Sequence, residues 1–200
     1  QNGSTQFNNR YEVFGFDTKR ENVDIAQMNY IFNMDKINNN FAVENCLMSG
    51  IENKFDVVVS NIPISFNNFD YKICCDQIKS LNIIGSKSEA LYILLLTKII
   101  KVNGKCSIIV PDAILYIDLP FYIEIRKYLI DNFDVYRISY INEESSKYIS
   151  FAKSIIFFNN EFKTKQIEFH NIREKDTSEL TCIATYDDIV KNQYHLLYEN

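Results

Sequence analysis

Asn61 and Pro63 are the residues in this sequence best placed to bind a small polar ligand. They directly follow the β-branched apolar run of residues 55–60, which predicts a strand buried on both faces. An amide both donates and accepts hydrogen bonds, and a proline stiffens the loop in which it lies. Ligands of open α/β sheets bind at the carboxyl ends of strands, so we expect the functional site where this strand ends.

Asp17 is a second candidate, at the end of a predicted strand over residues 11–17 and before a predicted helix over residues 18–35. A carboxylate offers two acceptor oxygens, which suit the two hydroxyl groups of a ribose. The other interpretation is that Asp17 only caps or stabilises the helix that follows it. Thr18, with Glu21 three residues later, is predicted to cap that helix, and the residues alone leave both roles of Asp17 open.

The remaining pattern predicts an α/β protein. A helix is expected over residues 91–102 and a second over residues 121–131, where Arg126 and Lys127 are typical of a solvated face more than of a phosphate contact. His170, on a short additional strand, is expected at the surface, with no serine, cysteine or carboxylate evident beside it. The other predicted strands are residues 105–111, the last two of the sheet at residues 134–140 and 152–158, which form an antiparallel pair at its edge, and residues 167–170.

Composition narrows the class of protein. The 200 residues are 46% hydrophobic, which suits one globular domain over residues 1–200 with a flexible start at residues 1–10. A net charge of −5 argues against an autonomous DNA-binding protein. Five cysteines, an odd number without metal-ligand spacing, favour reduced thiols and no metal site. Without a long apolar run or a signal peptide, we expect a cytoplasmic protein with no membrane partner.

Several segments together carry a resemblance to a known family. The strand end at residues 61–64, Asn-Ile-Pro-Ile, resembles the Asn-Pro-Pro-aromatic motif of N6-adenine DNA methyltransferases. The order of the other segments is similar to that of the modification subunit of type I restriction systems. They are residues 15–17 (Gly-Phe-Asp), 25–29 (Ile-Ala-Gln-Met-Asn), 41–47, 105–111 and the closing segment at residues 186–197.

The resemblance implies a doubly wound, Rossmann-like sheet of the S-adenosylmethionine-dependent methyltransferase type. It implies methyl transfer from S-adenosylmethionine to adenine N6 in DNA, with Asn61 and Pro63 at the amine and Ile64 where the family stacks an aromatic ring on the base. For the cofactor it implies Asp17 at the ribose, beside Phe16, and Asn45 at the adenine, beside Cys46.

The chain departs from the family in four features. Ile62 replaces the first proline and Ile64 the aromatic residue, although Phe66 lies two residues further on. Asn45 stands where the family has an aspartate, and the glycine-rich cofactor turn is absent. The family's strand order is 3-2-1-4-5-7-6, so the sheet is expected to lack its first, central strand.

We therefore expect a fragment or subunit of a larger enzyme. A strand from another subunit or an upstream segment is expected between the strands at residues 11–16 and 55–60. The alternative is a catalytically inactive binding or scaffold subunit that keeps the fold. A methyltransferase for RNA or for a glutamine side chain agrees less well with the closing segment.

Overall fold

The computed structural model describes residues 11–52, 54–63, 68–141, 152–173 and 177–197. The chain divides into two compact units, Gln1–Gly50 and Ile51–Asn200. The first contains a two-stranded sheet and the second a six-stranded sheet. The expectation of one domain over residues 1–200 stays a prediction.

The first unit is a strand–helix–strand segment. Its two strands pair in parallel, with Asp17 opposite Val43, and parallel neighbours require a crossover, which the long helix supplies. The ring of Tyr30 on that helix packs edge-on against Phe41, with 5.7 Å between the ring centroids. The elements are β1 (Gly15–Asp17), α1 (Arg20–Met34), β2 (Phe41–Val43) and α2 (Cys46–Ser49).

The helix predicted over residues 18–35 is confirmed as α1, but its cap is not Thr18. The residue before the helix is Lys19, which makes no side-chain cap. Instead, the Asp17 carboxylate accepts a hydrogen bond from the Lys19 amide at 2.7 Å. An acid at a helix start satisfies free N–H groups and favours the helix dipole.

None of the side chains of α1 is buried in the described structure. Phe32 is 86% exposed, and Ile25 and Met28 are also exposed. Helices in proteins gain most of their stability by burying an apolar face. Tyr30 packs on Phe41, but Ile25, Met28 and Phe32 of α1 stay exposed within the described residues.

The second unit is built on a mixed sheet in the order β3-β4-β6-β5-β7-β8. Four strands (β3, β4, β5 and β7) run parallel to one another, while β6 and β8 run in the opposite direction. The strands are β3 (Phe55–Asn61), β4 (Ile100–Pro111), β5 (Asp134–Ile141), β6 (Lys153–Asn159), β7 (Gln166–Arg173) and β8 (Thr177–Thr185).

Helices connect β3 to β4 and β4 to β5 in the second unit. The longest run of apolar residues forms α4, between β3 and β4, and ten of its twelve residues are buried. A helix that is apolar on nearly all sides belongs in a core. The helices are α3 (Asp76–Lys79), α4 (Ser88–Ile99), α5 (Ala113–Tyr116), α6 (Pro120–Asn132) and α7 (Tyr186–Lys191).

The predicted boundary between α4 and β4 is wrong by three residues. The helix ends at Ile99 instead of Val102, and β4 begins at once. The β-branched residues there favour an extended backbone. Asn103 takes a left-handed φ of 63°, and its amide donates to the Asn160 carbonyl at 2.8 Å.

The antiparallel pair of β5 and β6 is confirmed, but its place at the sheet edge is wrong. The predicted short strand is β7, which pairs with β5, and β8 extends the sheet further. The sequence did not predict β8. Its first residues are polar, so its position depends on pairing with β7 more than on an apolar pattern.

The prediction that β3 is buried on both faces is also wrong. Val58 is buried, but Val57 is 65% and Val59 78% exposed. Side chains alternate between the two faces of a strand, so one face of β3 is open. Within the described residues, β3 pairs with β4 alone.

Candidate active site

Asn61 lies at the carboxyl end of β3, where the sequence places it. Its Cα atom is opposite Ile109 of the parallel strand β4, and its side chain is exposed. No described residue makes a hydrogen bond with the side-chain amide of Asn61. A donor and an acceptor are therefore open to a ligand at this edge of the sheet.

Ile62 anchors the chain directly after Asn61. Its side chain is buried, and its amide donates to the Ile109 carbonyl at 3.0 Å. A proline at this position would lack that N–H group. Ile62 therefore extends the pairing of β3 and β4 past Asn61 and fixes the start of the loop.

The rest of the predicted amine-binding motif is described only in part. Pro63 is exposed and follows the buried Ile62. The predictions for Ile64, and for Phe66 as a substitute stacking ring, fall outside the described residues.

Asp17 is placed at the carboxyl end of β1, and both of its oxygens accept hydrogen bonds within the chain. Oδ1 accepts from the Lys19 amide at 2.7 Å, and Oδ2 accepts from the side-chain amide of Asn22 at 3.0 Å. The structure thus shows the helix-capping role. Each carboxylate oxygen can accept a further bond, so the ribose-binding role stays a prediction. Phe16, beside it, is half-buried in β1.

Asn45 lies close to Asp17 in the first unit, because β1 and β2 are parallel and the Glu44 amide donates to the Asp17 carbonyl at 2.9 Å. Its side-chain oxygen accepts from the Leu47 amide at 3.2 Å and caps α2. Cys46 is buried in the first turn of that helix. The first unit thus brings together Asp17 and Asn45, while Asn61 and Pro63 belong to the second unit.

Asp112 is a candidate that the sequence analysis missed. It directly follows β4, and its Oδ1 accepts a hydrogen bond from the Ser154 hydroxyl at 2.6 Å. Burial raises the pKa of Asp112 above its ordinary value. The signal was present in the sequence, because Asp112 follows a strand predicted to be buried, as Asn61 does.

The prediction that Arg126 lies on a solvated helix face is wrong, because the residue is only 1% exposed. Its Nη1 donates to the Ile114 carbonyl at 2.9 Å and to the Ile117 carbonyl at 3.0 Å. Tyr122, Arg126 and Ile130 are spaced by four residues on α6 and are all buried. This spacing puts Arg126 on the apolar stripe of the helix, a signal that outweighs its charge.

His170 is buried too, contrary to the prediction of a surface position without polar neighbours. Its Nε2 lies 3.1 Å from a Glu168 oxygen, and its Nδ1 lies 3.5 Å from the Ser178 hydroxyl. The hydrogen bond with His170 holds the pKa of Glu168 below its usual value. Because β8 covers the outer edge of β7, His170 lies on an inner strand.

The described residues contain no cluster of histidine, cysteine, aspartate and glutamate able to hold a metal ion. Nor does the described part of the chain include a helix long and apolar enough to cross a membrane.

Solved structures of type I restriction–modification proteins share this fold. One, described for complex assembly and conformational transition of the type I R-M system, has a TM-score of 0.76 at 18% identity, over 94% of this chain and 46% of that chain. The type I restriction enzyme EcoKI M protein has a TM-score of 0.66 at 16% identity, over 90% of this chain and 39% of that chain. A type I restriction-modification system methyltransferase subunit from Streptococcus thermophilus has a TM-score of 0.66 at 18% identity, over 92% of this chain and 46% of that chain.

These likenesses define the class of fold, that of the methyltransferase sheet predicted from the sequence. The chain spans less than half the length of each of these proteins. The profile of the N-6 DNA Methylase family matches residues 2–193, and the chain belongs to that family. A comparison with curated proteins gave no match.

Proposed function

We propose that this chain forms part of an enzyme that transfers a methyl group from S-adenosylmethionine to the N6 amine of adenine in DNA. The main support for the proposal is the position and exposure of Asn61. In a member of the N-6 DNA Methylase family, an exposed amide with no partner among the described residues ends β3 at the carboxyl edge of the sheet.

Asn61 and Ile62 offer two acceptors for the target amine. The Asn61 side-chain oxygen and the Ile62 backbone carbonyl each accept one hydrogen of the N6 amine. Any residue supplies a backbone carbonyl, so isoleucine in place of the family's proline keeps this acceptor. Holding both hydrogens would leave the nitrogen lone pair pointing away from the two acceptors, towards the methyl group that bound S-adenosylmethionine would present, and the proton lost by the amine would pass to solvent.

Asp17 and Asn45 fit one part of a cofactor site. They lie together at the carboxyl ends of two parallel strands, and their oxygens retain acceptor capacity beyond the bonds they make within the chain. Asp17 would accept from the ribose hydroxyls and Asn45 from the adenine amine of S-adenosylmethionine. When bound, the cofactor supplies the electrophilic methyl group.

The open surfaces of both units support a partner strand. Within the described residues, β1 pairs with β2 alone and β3 with β4 alone. Val57 and Val59 are exposed on β3, and Met28 and Phe32 are exposed on α1. Open strand edges and apolar faces favour pairing with another segment. We propose that another subunit or segment contributes this strand and completes the site.

The second candidate function is a scaffold subunit without catalysis. It is favoured by the use of the Asp17 and Asn45 oxygens as helix caps and by the loss of the aromatic residue at Ile64. Stacking of a base on an aromatic ring contributes about 1–3 kcal/mol, so its absence weakens binding of a target base.

Product analysis separates these candidates. The complete enzyme, meaning this chain with the segment or subunit that supplies the strand, is incubated with DNA and S-adenosylmethionine carrying an isotopically labelled methyl group. The DNA is then digested to nucleosides for mass spectrometry. We expect labelled N6-methyladenine. A labelled methyl group on cytosine, or no labelled nucleoside from an enzyme that binds both substrates, would contradict the proposal and favour another reaction or the scaffold.

A further inference from the structure

The turn that follows β4 borders the candidate active site. We name residues 112–118 the β4 turn; it includes α5. The strands β3 and β4 are parallel, with Asn61 opposite Ile109, and the β4 turn starts three residues later. The chain therefore leaves the sheet at the same edge after Asn61 and after β4.

Two inner elements hold the β4 turn by its backbone. From α6, Arg126 donates through Nη1 to the carbonyls of Ile114 and Ile117. On the side of β6, the Ala152 carbonyl accepts from the Asp112 amide at 3.1 Å, next to the bond between Ser154 and Asp112.

Residues 192–197, the second half of the closing segment, hold the turn from a third side. The Leu196 amide donates to the Leu115 carbonyl at 2.8 Å, and the Leu196 carbonyl accepts from the Tyr140 hydroxyl at 2.9 Å. Next to this bond, His195 Nε2 lies 2.6 Å from the Asp118 carboxylate. The resemblance singled out this segment, and the proposed chemistry gives it no role.

Arg126 holds the turn with a buried charge, which lowers the stability of the folded state. Its Nε and Nη2 are buried and make no hydrogen bond in the described structure. Burial lowers the pKa of its guanidinium, and the charge of Asp118 opposes this shift without reversing it. An incompletely paired buried charge costs free energy, and an apolar residue of similar size is often as stable or more so. A charge kept at such a cost beside a candidate site suggests that it serves function more than stability.

We propose that Arg126 and His195 are positioning residues for the target adenine, because they fix the β4 turn beside Asn61. This inference rests on the proposed function. The turn carries the exposed ring of Tyr116, a type of group on which bases stack. Its position matters because a shift of about 1 Å costs on the order of 100-fold in rate.

His195→Ala in the complete enzyme tests the outer anchor. We expect kcat to fall by roughly tenfold to 100-fold, with the KM for S-adenosylmethionine unchanged and Tm within about 2 °C of the wild type. His195→Gln keeps a donor for Asp118 and should restore most of kcat. The matched control, Gln193→Ala, changes an exposed neighbour in the same segment and should leave kcat unchanged.

Arg126→Met tests the inner anchor with an apolar side chain of similar length. We expect a Tm equal to or above that of the wild type and a kcat lowered at least tenfold. If Arg126→Met does not fold, the kcat of His195→Ala alone tests the proposal. Wild-type kcat in His195→Ala and in every folded Arg126 variant would overturn the proposal.

Hydrogen exchange supplies a readout that does not need catalysis. In residues 1–200, we expect amides of the β4 turn to exchange roughly tenfold faster in His195→Ala than in the wild type or Gln193→Ala. Unchanged exchange would show that His195 does not fix the turn and would overturn its positioning role. A wild-type enzyme without N6-adenine methylation would overturn the proposed function instead, and the exchange experiment would still decide whether His195 holds the turn.

Discussion

Asn61 could be predicted from its own neighbours, whereas Arg126 and His170 could not. A buried strand that ends in an amide and a proline is a local pattern, and the structure places Asn61 at that strand end. The burial of Arg126 and His170 depends on what covers them, the turn after β4 in one case and the unpredicted strand β8 in the other. The local sequence gives the charge and spacing of a residue, but it does not show which element packs against that residue.

Asp112 gives a pH-dependent prediction at this scale. Burial raises its pKa above the ordinary value of 3.8, so ionisation destabilises the folded state. The stability of the neutral form is fully present below that value and is lost as the pH rises through the raised pKa. Asp112→Asn stays neutral, and its amide oxygen can still accept from Ser154. We expect it to unfold at higher urea concentration than the wild type at pH 7, and at a similar concentration near pH 3.5.

The control for this experiment is Asp187→Asn, at an exposed aspartate. It should change the urea midpoint little at either pH. A destabilised Asp112→Asn protein at pH 7 would show that the Asp112 carboxylate stabilises the fold. A difference from the wild type that does not depend on pH would show that ionisation of Asp112 is not its cause.

Two cysteines give a prediction about reactivity. Burial raises the pKa of Cys74 to about 11, and burial also raises the pKa of Cys106. The thiolate is the reactive form, so both thiols should resist alkylation in the folded chain. Burial raises the pKa of Cys182 as well, but its side chain is partly exposed, so it should react first with iodoacetamide at pH 8. Mass spectrometry of tryptic peptides would check the order, and early modification of Cys106 would contradict the buried site.

At the scale of elements, the predicted α1, β7 and antiparallel pair of β5 and β6 were correct: apolar residues have mostly helical spacing in α1, they alternate in β7, and they form a continuous run in β6. The end of α4 was wrong because apolar residues continue through it into β4, and periodicity cannot separate a buried helix from a buried strand. The exposure of β3 was missed for a different reason. Its sequence is that of a central strand, but within the described residues it has only one neighbour.

Matched valine variants test whether the open face of β3 is covered in the complete enzyme. Val59 and Val102 are 78% and 77% exposed, so Asp at either position should change the Tm of residues 1–200 by no more than about 2 °C. If another segment packs on β3, Val59→Asp buries an unpaired charge on assembly, while Val102→Asp does not. Gel filtration and methylation assays should show lost assembly and activity for Val59→Asp alone. Equal behaviour of the two variants would contradict a partner on β3.

At the scale of the whole molecule, each of the two units has one end of a methyltransferase sheet. The order β3-β4-β6-β5 agrees with the 4-5-7-6 part of the family order, and the β1–β2 pair agrees with its 2-3 part. The described residues contain no counterpart of the central strand 1. The lack of strand 1 could be predicted from the sequence, because the glycine-rich turn that follows this strand in the family is absent from the chain, whereas the division into two units was not predicted.

A binding measurement follows from this arrangement. Residues 1–200 carry Asp17 and Asn45 but no glycine-rich turn, so they should not bind S-adenosylmethionine appreciably. Isothermal titration calorimetry at cofactor concentrations up to about 1 mM should show no saturable heat, because a lost half-site costs several factors of ten in affinity. Micromolar binding by residues 1–200 would show that the cofactor site is already complete.

The most direct test of the account is single-turnover methylation by the complete enzyme with Asn61→Ala. Asn61 is exposed and unpartnered among the described residues, so the variant should fold, assemble and bind the cofactor like the wild type, while methyl transfer falls roughly 100-fold or more. Asn132→Ala is the control, since Asn132 is an exposed asparagine at the end of α6, near the start of β5 and so at the opposite edge of the sheet. We predict wild-type rates for Asn132→Ala and loss for Asn61→Ala, and a wild-type rate of N6-methyladenine formation by Asn61→Ala would contradict the assignment of the amine-binding residue.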